Sequence, residues 1–397
     1  MIKISKFKIV LFFFLIHNVS HAQLPLYGKV INSETAEGIP FVNIGFVDLG
    51  IGTVSNEEGE FLLEFYPDKT SEDAVLQFSS LGYTTKKIDN SDALRFFDKE
   101  LVVHMTPQEM QLKEVEVYNN GEFISDNVGY RNYGEEFIGY WKDNMALGGE
   151  LATRVIVRDG LRKLHSLEFT VRENVSDSLL LRINVYDDDG GVYRLPGTNL
   201  NKSGKGILYV LKAGQESILI NLDPFEIMVE DDFIVSLELI EVYGKSPPGL
   251  VLEAANNGFG SYRRYTSQDK WSKFSLINMA YYLRTSLLVS KQEAARYDIK
   301  RNRQLKRRRT VSGFAIANST MVSDVLVRNL RTREVVYTNE KGRYSIGARK
   351  GDILSFQKDG FQAFSQMVKN ELTINALLRK LLYQIDDSGL TPAIPPN

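Results

Sequence analysis

The stretch "GTVSNEEGEFLL" runs from Gly52 to Leu63, and "EVVYTNEKGRYSI" runs from Glu334 to Ile346. Both place a polar turn ending in glycine between two apolar, β-prone runs, the sequence pattern of a hairpin. Laid together without a gap at an offset of 283, Ile39–Leu63 and Val322–Ile346 match at strand spacing. Val42 meets Val325, Ile44 meets Val327, Phe61 meets Tyr344 and Leu63 meets Ile346. Asn56, Glu57 and Gly59 meet Asn339, Glu340 and Gly342. Further on, at an offset of 278, Leu76, Phe78, Gly82 and Tyr83 meet Leu354, Phe356, Gly360 and Phe361. The change of offset is a five-residue deletion near Asp68–Asp73, in a loop, and upstream Gly28 pairs with Gly313. The chain therefore opens and closes with the same kind of unit. The kept turn positions are those backbone geometry demands. Asn56 and Asn339 can bond their own backbone two residues on, and Gly59 and Gly342 suit a left-handed residue closing a bulged hairpin.

Around this duplication the chain is 397 residues long, which implies several domains. Many Val, Ile, Thr, Phe and Tyr residues favour strands. Lys3, Lys6 and Lys8, the apolar run Ile9–Ile16 and the small residues Ser20 and Ala22 are in signal-peptide order, with cleavage before Gln23. Losing those three lysines takes the formal net charge from −2 to about −5, a poor balance for a nucleic-acid binder. No cysteine occurs, which excludes disulfides, thiol nucleophiles and a lipidated N-terminus. No later apolar run approaches the length of a membrane helix. The sequence predicts an exported protein of the periplasm, the outer membrane surface or the extracellular space.

Between the repeats, "RKLHSLEFTV", "LLLRINVYDDD", "GILYVL", "SILINL" and "FIVSLELIEV" read as strands of a larger sandwich. The expected layout is a signal peptide at 1–22, a first module at 23–119, a jelly-roll-like sandwich at 120–295, a basic linker at 296–310, a second module at 311–383 and a disordered tail at 384–397. Glu371–Leu382 reads as a short helix. The basic run holds Lys300, Arg301, Arg303, Lys306, Arg307, Arg308 and Arg309. It reads as a solvated linker or edge strand, with contact to an anionic surface as the sharper alternative.

The segments "PFVNIGF", "GTVSNEEGEFLL" and "LQFSSLGY" together resemble the carboxypeptidase-like regulatory domain, a module common in exported proteins of Bacteroidota. "VSGFAIANS", "VYTNEKGRYSI" and "LSFQKDGF" resemble a second copy, and "MTPQEMQLKEVEVYNN" resembles the join after such modules in TonB-dependent receptors. Too little chain remains here for a receptor barrel. The resemblance implies an all-β chain: two transthyretin-like (prealbumin-like) Greek-key β-sandwiches flanking a larger jelly-roll-like β-sandwich. It implies no catalytic residue.

Signals for chemistry are sparse. The mature chain has His104 and His165, each in a strand-like stretch, and no phosphate loop or Gly-x-Ser-x-Gly. Its many acids single out no carboxylate pair, so a glycan-active hydrolase is the minor reading and no enzyme is expected. Asp187 and Asp189 form an acidic turn that invites comparison with a calcium loop, although EF-hand spacing is lacking. Tyr140, Trp141, Tyr262, Tyr265 and Trp271 are the candidate ligand-binding residues, because exposed aromatics on a sandwich can stack sugar rings. The alternative for them is the sandwich core. The expected function is envelope binding or adhesion towards a glycan or protein partner, with a structural scaffold or assembly subunit as the alternative.

Overall fold

The computed structural model describes residues 24–67, 70–108, 121–132, 138–141, 146–244, 249–256, 260–275, 277–306, 309–369, 371–380, 383–386 and 389–392. The proposed signal peptide lies outside them. The chain is all-β in character; among the described residues the α-helices are Asn90–Ala93 and Lys291–Lys306, with 3-10 turns at Leu94–Phe96 and Asp223–Phe225. It divides into two compact units. One joins residues up to Glu116 with most of 125–286, and the other holds Leu287–Asn397 with two short preceding segments.

The first sandwich comprises β1 (Leu24–Asn32), β2 (Asn43–Phe46), β3 (Ile51–Val54), β4 (Glu60–Phe65), β5 (Val75–Ser79), β6 (Lys86–Asp89) and β7 (Leu101–Met105). One sheet has the order β4-β1-β7 and the other β3-β2-β5-β6. β4 shows strict alternation, with Phe61, Leu63 and Phe65 buried and Glu60, Leu62 and Glu64 exposed, so a single face reaches the core. Val30, Val42, Ile44, Phe46, Leu76 and Phe78 fill the space between the sheets.

The second sandwich repeats this wiring strand for strand. Arg309–Ala317 takes the place of β1, antiparallel to Arg343–Ala348 and parallel to Ala376–Leu377. Leu326–Asn329 takes the place of β2, between Val335–Tyr337 and Ile353–Gln357, with Phe364–Met367 at the edge. The core pairing repeats as well. Phe61 meets Phe78 edge-on at 5.7 Å, and Tyr344 meets Phe356 edge-on at 5.3 Å.

The matched turns are superposable in their bonding. Asn56 Oδ1 accepts from the amides of Glu58 (3.1 Å) and Glu60 (2.8 Å), and Asn339 Oδ1 from those of Lys341 and Arg343 (both 3.0 Å). Gly59 and Gly342 hold φ of 79° and 68°, the left-handed region that glycine enters without strain. A Cβ on Gly59 would also lie 2.5 Å from the Val30 carbonyl oxygen. One further pair was not singled out from sequence: the Ser55 and Thr338 hydroxyls accept the amides of Val42 (2.8 Å) and Val325 (2.9 Å).

The middle sandwich stacks two larger sheets. One has the path Ile138–Trp141, Leu250–Ala255, Arg162–Asn174, Tyr282–Ser290, Gly121–Ser125. The other runs Ile207–Lys212, Ser178–Asp187, Phe233–Tyr243, Glu150–Val155, Ser261–Arg264, Ser272–Ser275. Leu151, Leu164, Leu181, Phe233, Leu237 and Tyr281 are among its core.

Three local expectations are corrected. The expected basic linker lies largely in a helix, Lys291–Lys306. Its Ala, Gln, Lys and Arg residues are good helix formers, and the Ser290 hydroxyl accepts the Glu293 amide at 3.3 Å, capping the first turn. Glu371–Leu382 is not helical in its described residues, because Ala376–Leu377 is drawn into the sheet beside Ala315 and Ile316. In the expected disordered tail, Tyr383–Asp386 pairs with Gly389–Pro392 as a hairpin.

The second sandwich carries an ionic clamp at Asp352, which is 1% exposed. The clamp takes Asn329 Nδ2 and Arg331 Nη2, both at 2.8 Å, together with Arg331 Nε. Burial pushes this carboxyl up, but the Arg331 and Asn329 hydrogen bonds outweigh it and hold it below the usual aspartate value. A depressed folded value means that ionisation stabilises the fold above the unfolded value, about 3.9, and that this stability is lost as pH falls through the folded one. Acid unfolding of this sandwich, followed by tryptophan-independent far-UV signal, is expected to lose pH dependence below about pH 4 in Asp352→Asn. Gly59→Ala is expected to cost about 1–3 kcal/mol in urea melts through enforced positive φ.

Candidate functional site

The first and middle sandwiches meet along a glycine seat. Gly45 of β2 and Gly52 of β3 are direct partners in the ladder, and the backbone of residues 266–268 lies on them. Cβ atoms at Gly45 and Gly52 would stand 2.6 and 2.2 Å from the Ser267 carbonyl oxygen, inside any real contact. In the second sandwich the equivalent ladder partners are Arg328 and Val335, so the same seat is filled with side chains. Gln268 fastens the contact. Its side chain donates to Ser79 Oγ at 2.7 Å and accepts from Gln77 Nε2 at 2.7 Å, and its carbonyl accepts the Asp48 amide at 3.0 Å.

Beside the seat lies a buried polar network. Alternation along Ser178–Asp187 sends Ile183 and Val185 to the core and Arg182, Asn184 and Tyr186 to the opposite face. Glu150 and Glu238, directly opposite on paired strands, join them there, both 0% exposed. Arg182 holds Glu238 through Nε and Nη2 at 2.8 Å each. The same guanidinium reaches the Phe41 carbonyl and Asn43 Oδ1 in the first sandwich, also at 2.8 Å. Glu150 takes Arg264, the Ser236 hydroxyl and the Tyr186 hydroxyl.

Burial pushes the Glu150 carboxyl up, opposed by Arg264 and reinforced by the Glu238 charge. Burial acts the same way on Glu238, but Arg182 overcomes it and holds that carboxyl below its ordinary value. Two carboxylates with values pushed apart is the pattern of an acid–base pair. Here both carboxyls are wholly buried, and Glu238 is tied through Arg182 to the first sandwich.

The aromatic candidates separate. Tyr262 is only 3% exposed, packed with Ala152 and Ile234. Trp271 packs against this same cluster. Trp271 is partly buried, edge-on to Tyr186 at 6.1 Å and 5.2 Å from the Arg264 guanidinium. Tyr265 is 45% exposed with the Arg263 guanidinium 5.1 Å from its ring centre. Tyr140 and Trp141 belong to Ile138–Trp141, paired with Leu250–Glu253, and their side chains lie outside the described residues. Of the three candidates with described side chains, Tyr262 and Trp271 pack in one cluster and Tyr265 is the exposed one.

The acidic turn is engaged with itself. Asp189 accepts from the Thr198 amide (2.6 Å) and hydroxyl (2.7 Å), which hold its carboxyl below the usual value. Asp187 Oδ1 accepts the Asp188 amide at 2.8 Å, and Asp188 pairs with Arg154 at 2.8 Å. No group of three or more metal-ligating side chains occurs among the described residues. The side chains of residues 301–308, most of the basic run, lie outside the description.

What the joined sandwiches create is a groove of about 650 Å³. One wall is Asn32, Leu81–Tyr83, Pro107 and Gln108 of the first sandwich, and the other is Lys202–Gly204 and Pro224–Glu226 of the middle one. Tyr83 and Phe225 are half-buried and anchored on their own cores, so their rings are held in place. Clefts between packed domains are common ligand sites. Sequence reasoning missed this one because its walls, at 32–108 and 202–226, lie far apart along the chain.

With this geometry described, comparison with known proteins is informative for one part. Residues 26–117 match the CarboxypepD_reg-like domain. The match covers the first sandwich and agrees with the regulatory-domain resemblance of its motifs. A comparison with curated proteins gives no match. Among solved structures, similarity extends to BcpA, the major pilin subunit of Bacillus cereus, at 9% identity over 90% of this chain and 99% of that one, TM-score 0.14. It extends also to the major pilin SpaD of Corynebacterium diphtheriae, at 7% identity over 91% and 99%, TM-score 0.16. Chains with scores this low do not superpose as wholes, and the pilins' roles do not transfer. No described helix is long and apolar enough to cross a membrane.

Arg182→Met leaves Glu238 a buried, half-matched charge and is expected to cost about 3–5 kcal/mol. Adding Glu238→Gln should recover part of it, as a double-mutant cycle in urea would show. Gly52→Val, which imports the second sandwich's residue, is expected to lift residues 266–268 and lower the melting temperature without unfolding the first sandwich alone.

Proposed function

We propose that the chain is an exported cell-envelope binding and adhesion protein, and that its ligand lies in the groove between the first and middle sandwiches. The single observation that carries this reading is that the groove's two walls belong to different sandwiches fixed together by the Gly45–Gly52 seat and Arg182. A wall set so rigidly needs little ordering on binding, which favours affinity. The lining combines rings at Tyr83 and Phe225, amides at Asn32 and Gln108, and one charge of each sign at Lys202 and Glu226. Rings with neighbouring amide and hydroxyl groups suit a saccharide's apolar faces and polar rim. The signal-like N-terminus supports export, and the CarboxypepD_reg-like match adds no catalytic residue.

The purified mature chain is expected to be retained on an envelope-glycan array, and Tyr83→Ala with Phe225→Ala to abolish retention while moving the melting temperature by only a few degrees. Unchanged retention in that double variant would remove the groove from consideration. Trp271→Ala is expected to lower stability and leave retention intact.

A further inference from the structure

A second site stands on the outer face of the middle sandwich and goes beyond the adhesive reading. His165 lies in Arg162–Asn174, where Leu164 is in the core, so its ring points outward. Ser286 lies in Tyr282–Ser290, where Thr285 and Leu287 are buried, so its hydroxyl also points outward. His165 Nε2 is 2.8 Å from Ser286 Oγ, and His165 Nδ1 is 2.6 Å from Asp223 Oδ1. Asp223 opens the turn Asp223–Phe225. That turn is pinned to the histidine's own strand, because the Leu222 amide donates to the His165 carbonyl at 2.9 Å. Asn221 Oδ1 accepts the Asp223 amide at 3.1 Å, which fixes the turn's first residue.

An ionised carboxylate only accepts, so Nδ1 carries a hydrogen towards Asp223. In the neutral imidazole Nε2 is then the lone pair within reach of the Ser286 hydroxyl, which donates to it. This is the arrangement of a serine nucleophile, a histidine base and a carboxylate that holds the base in the right tautomer. The chain order here is His165, Asp223, Ser286, and such sets are recognised by geometry rather than by order. The histidine is half-exposed, with a side-chain exposure of 36%, so the site is open to solvent.

We propose that Ser286, with His165 as base and Asp223 as positioning residue, is a nucleophile for acyl transfer from esters. The open sheet face suits small esters or ester groups borne on the surface of a larger molecule. Ser286 Oγ attacks the ester carbonyl as its proton passes to His165 Nε2. The alcohol leaves with that proton, and an acyl-Ser286 remains. Water then attacks the acyl carbonyl, giving its proton to His165, which returns it to Ser286 as the carboxylic acid departs. Arg284, two residues from Ser286, and Lys163, two residues from His165, are the cations nearest along these strands for the developing oxyanion; Arg284 also pairs with Glu168 at 3.6 Å.

The test uses the mature chain and a fluorophosphonate probe, read by intact and peptide mass spectrometry. One adduct on Ser286 is expected, absent from Ser286→Ala and from heat-denatured protein. His165→Ala is expected to slow labelling by at least about a hundredfold, the usual contribution of a general base, and free imidazole should restore part of the rate. Asp223→Asn should also slow labelling, and Asp223→Glu should slow it less. All four substitutions fall at three solvent-facing positions, and thermal melts establish that each variant is folded. No adduct on the folded wild-type chain, an adduct that persists in Ser286→Ala, or a rate unchanged in His165→Ala would overturn the proposal.

Discussion

The contact between the Ser267 carbonyl and the paired glycines of β2 and β3 governs the rest of the larger unit. The Ser267 backbone can lie this close only because the facing residues, Gly45 and Gly52, bear no Cβ. Once it does, Arg182 is within reach of both sandwiches, and its guanidinium links Glu238 to Phe41 and Asn43. A planar group with a fixed fork of donors suits this task, since three acceptors from two modules are met with one side chain. The groove and its rings follow from that fixed relation.

The duplication acquires a meaning from the same contact. Both copies keep the asparagine and glycine of the turn, the hydroxyl that binds a neighbouring strand, and the crossed aromatic pair. These are the demands of one backbone path, and they are met twice. The copies diverge at Gly45 and Gly52, which become Arg328 and Val335. The divergence falls on a surface that one copy uses for packing and that the other clothes with side chains. The second copy has its own device instead, the Asp352 clamp with Arg331 and Asn329.

Residue type alone left two readings for the aromatic residues, a binding face or the sandwich core, and for Tyr262 the structure gives burial. Tyr262 and Trp271 sit in a Gly-, Ser- and Arg-rich stretch that looks exposed, yet they close over the charged network on the back of a sheet. Strand alternation says that a face exists but not what lies against it. His165 shows what residue spacing hides. It reads as an ordinary strand residue, and its two partners are 58 and 121 residues further along. The basic run was legible as charge but not as helix, although the Ser290 and Glu293 spacing was a usable capping signal.

The sequence by itself determined the β class, the duplicated sandwich and the chemistry of its turns, because those depend on periodicity and on residues close together in the chain. Tyr344 and Phe61, or Asn56 and Asn339, could be matched by eye. Tertiary structure alone decided which sandwich face is covered, which glutamates are buried, where the groove lies and which serine stands beside His165. Each of those depends on strands brought together over long loops, and no local pattern encodes which strand becomes a neighbour.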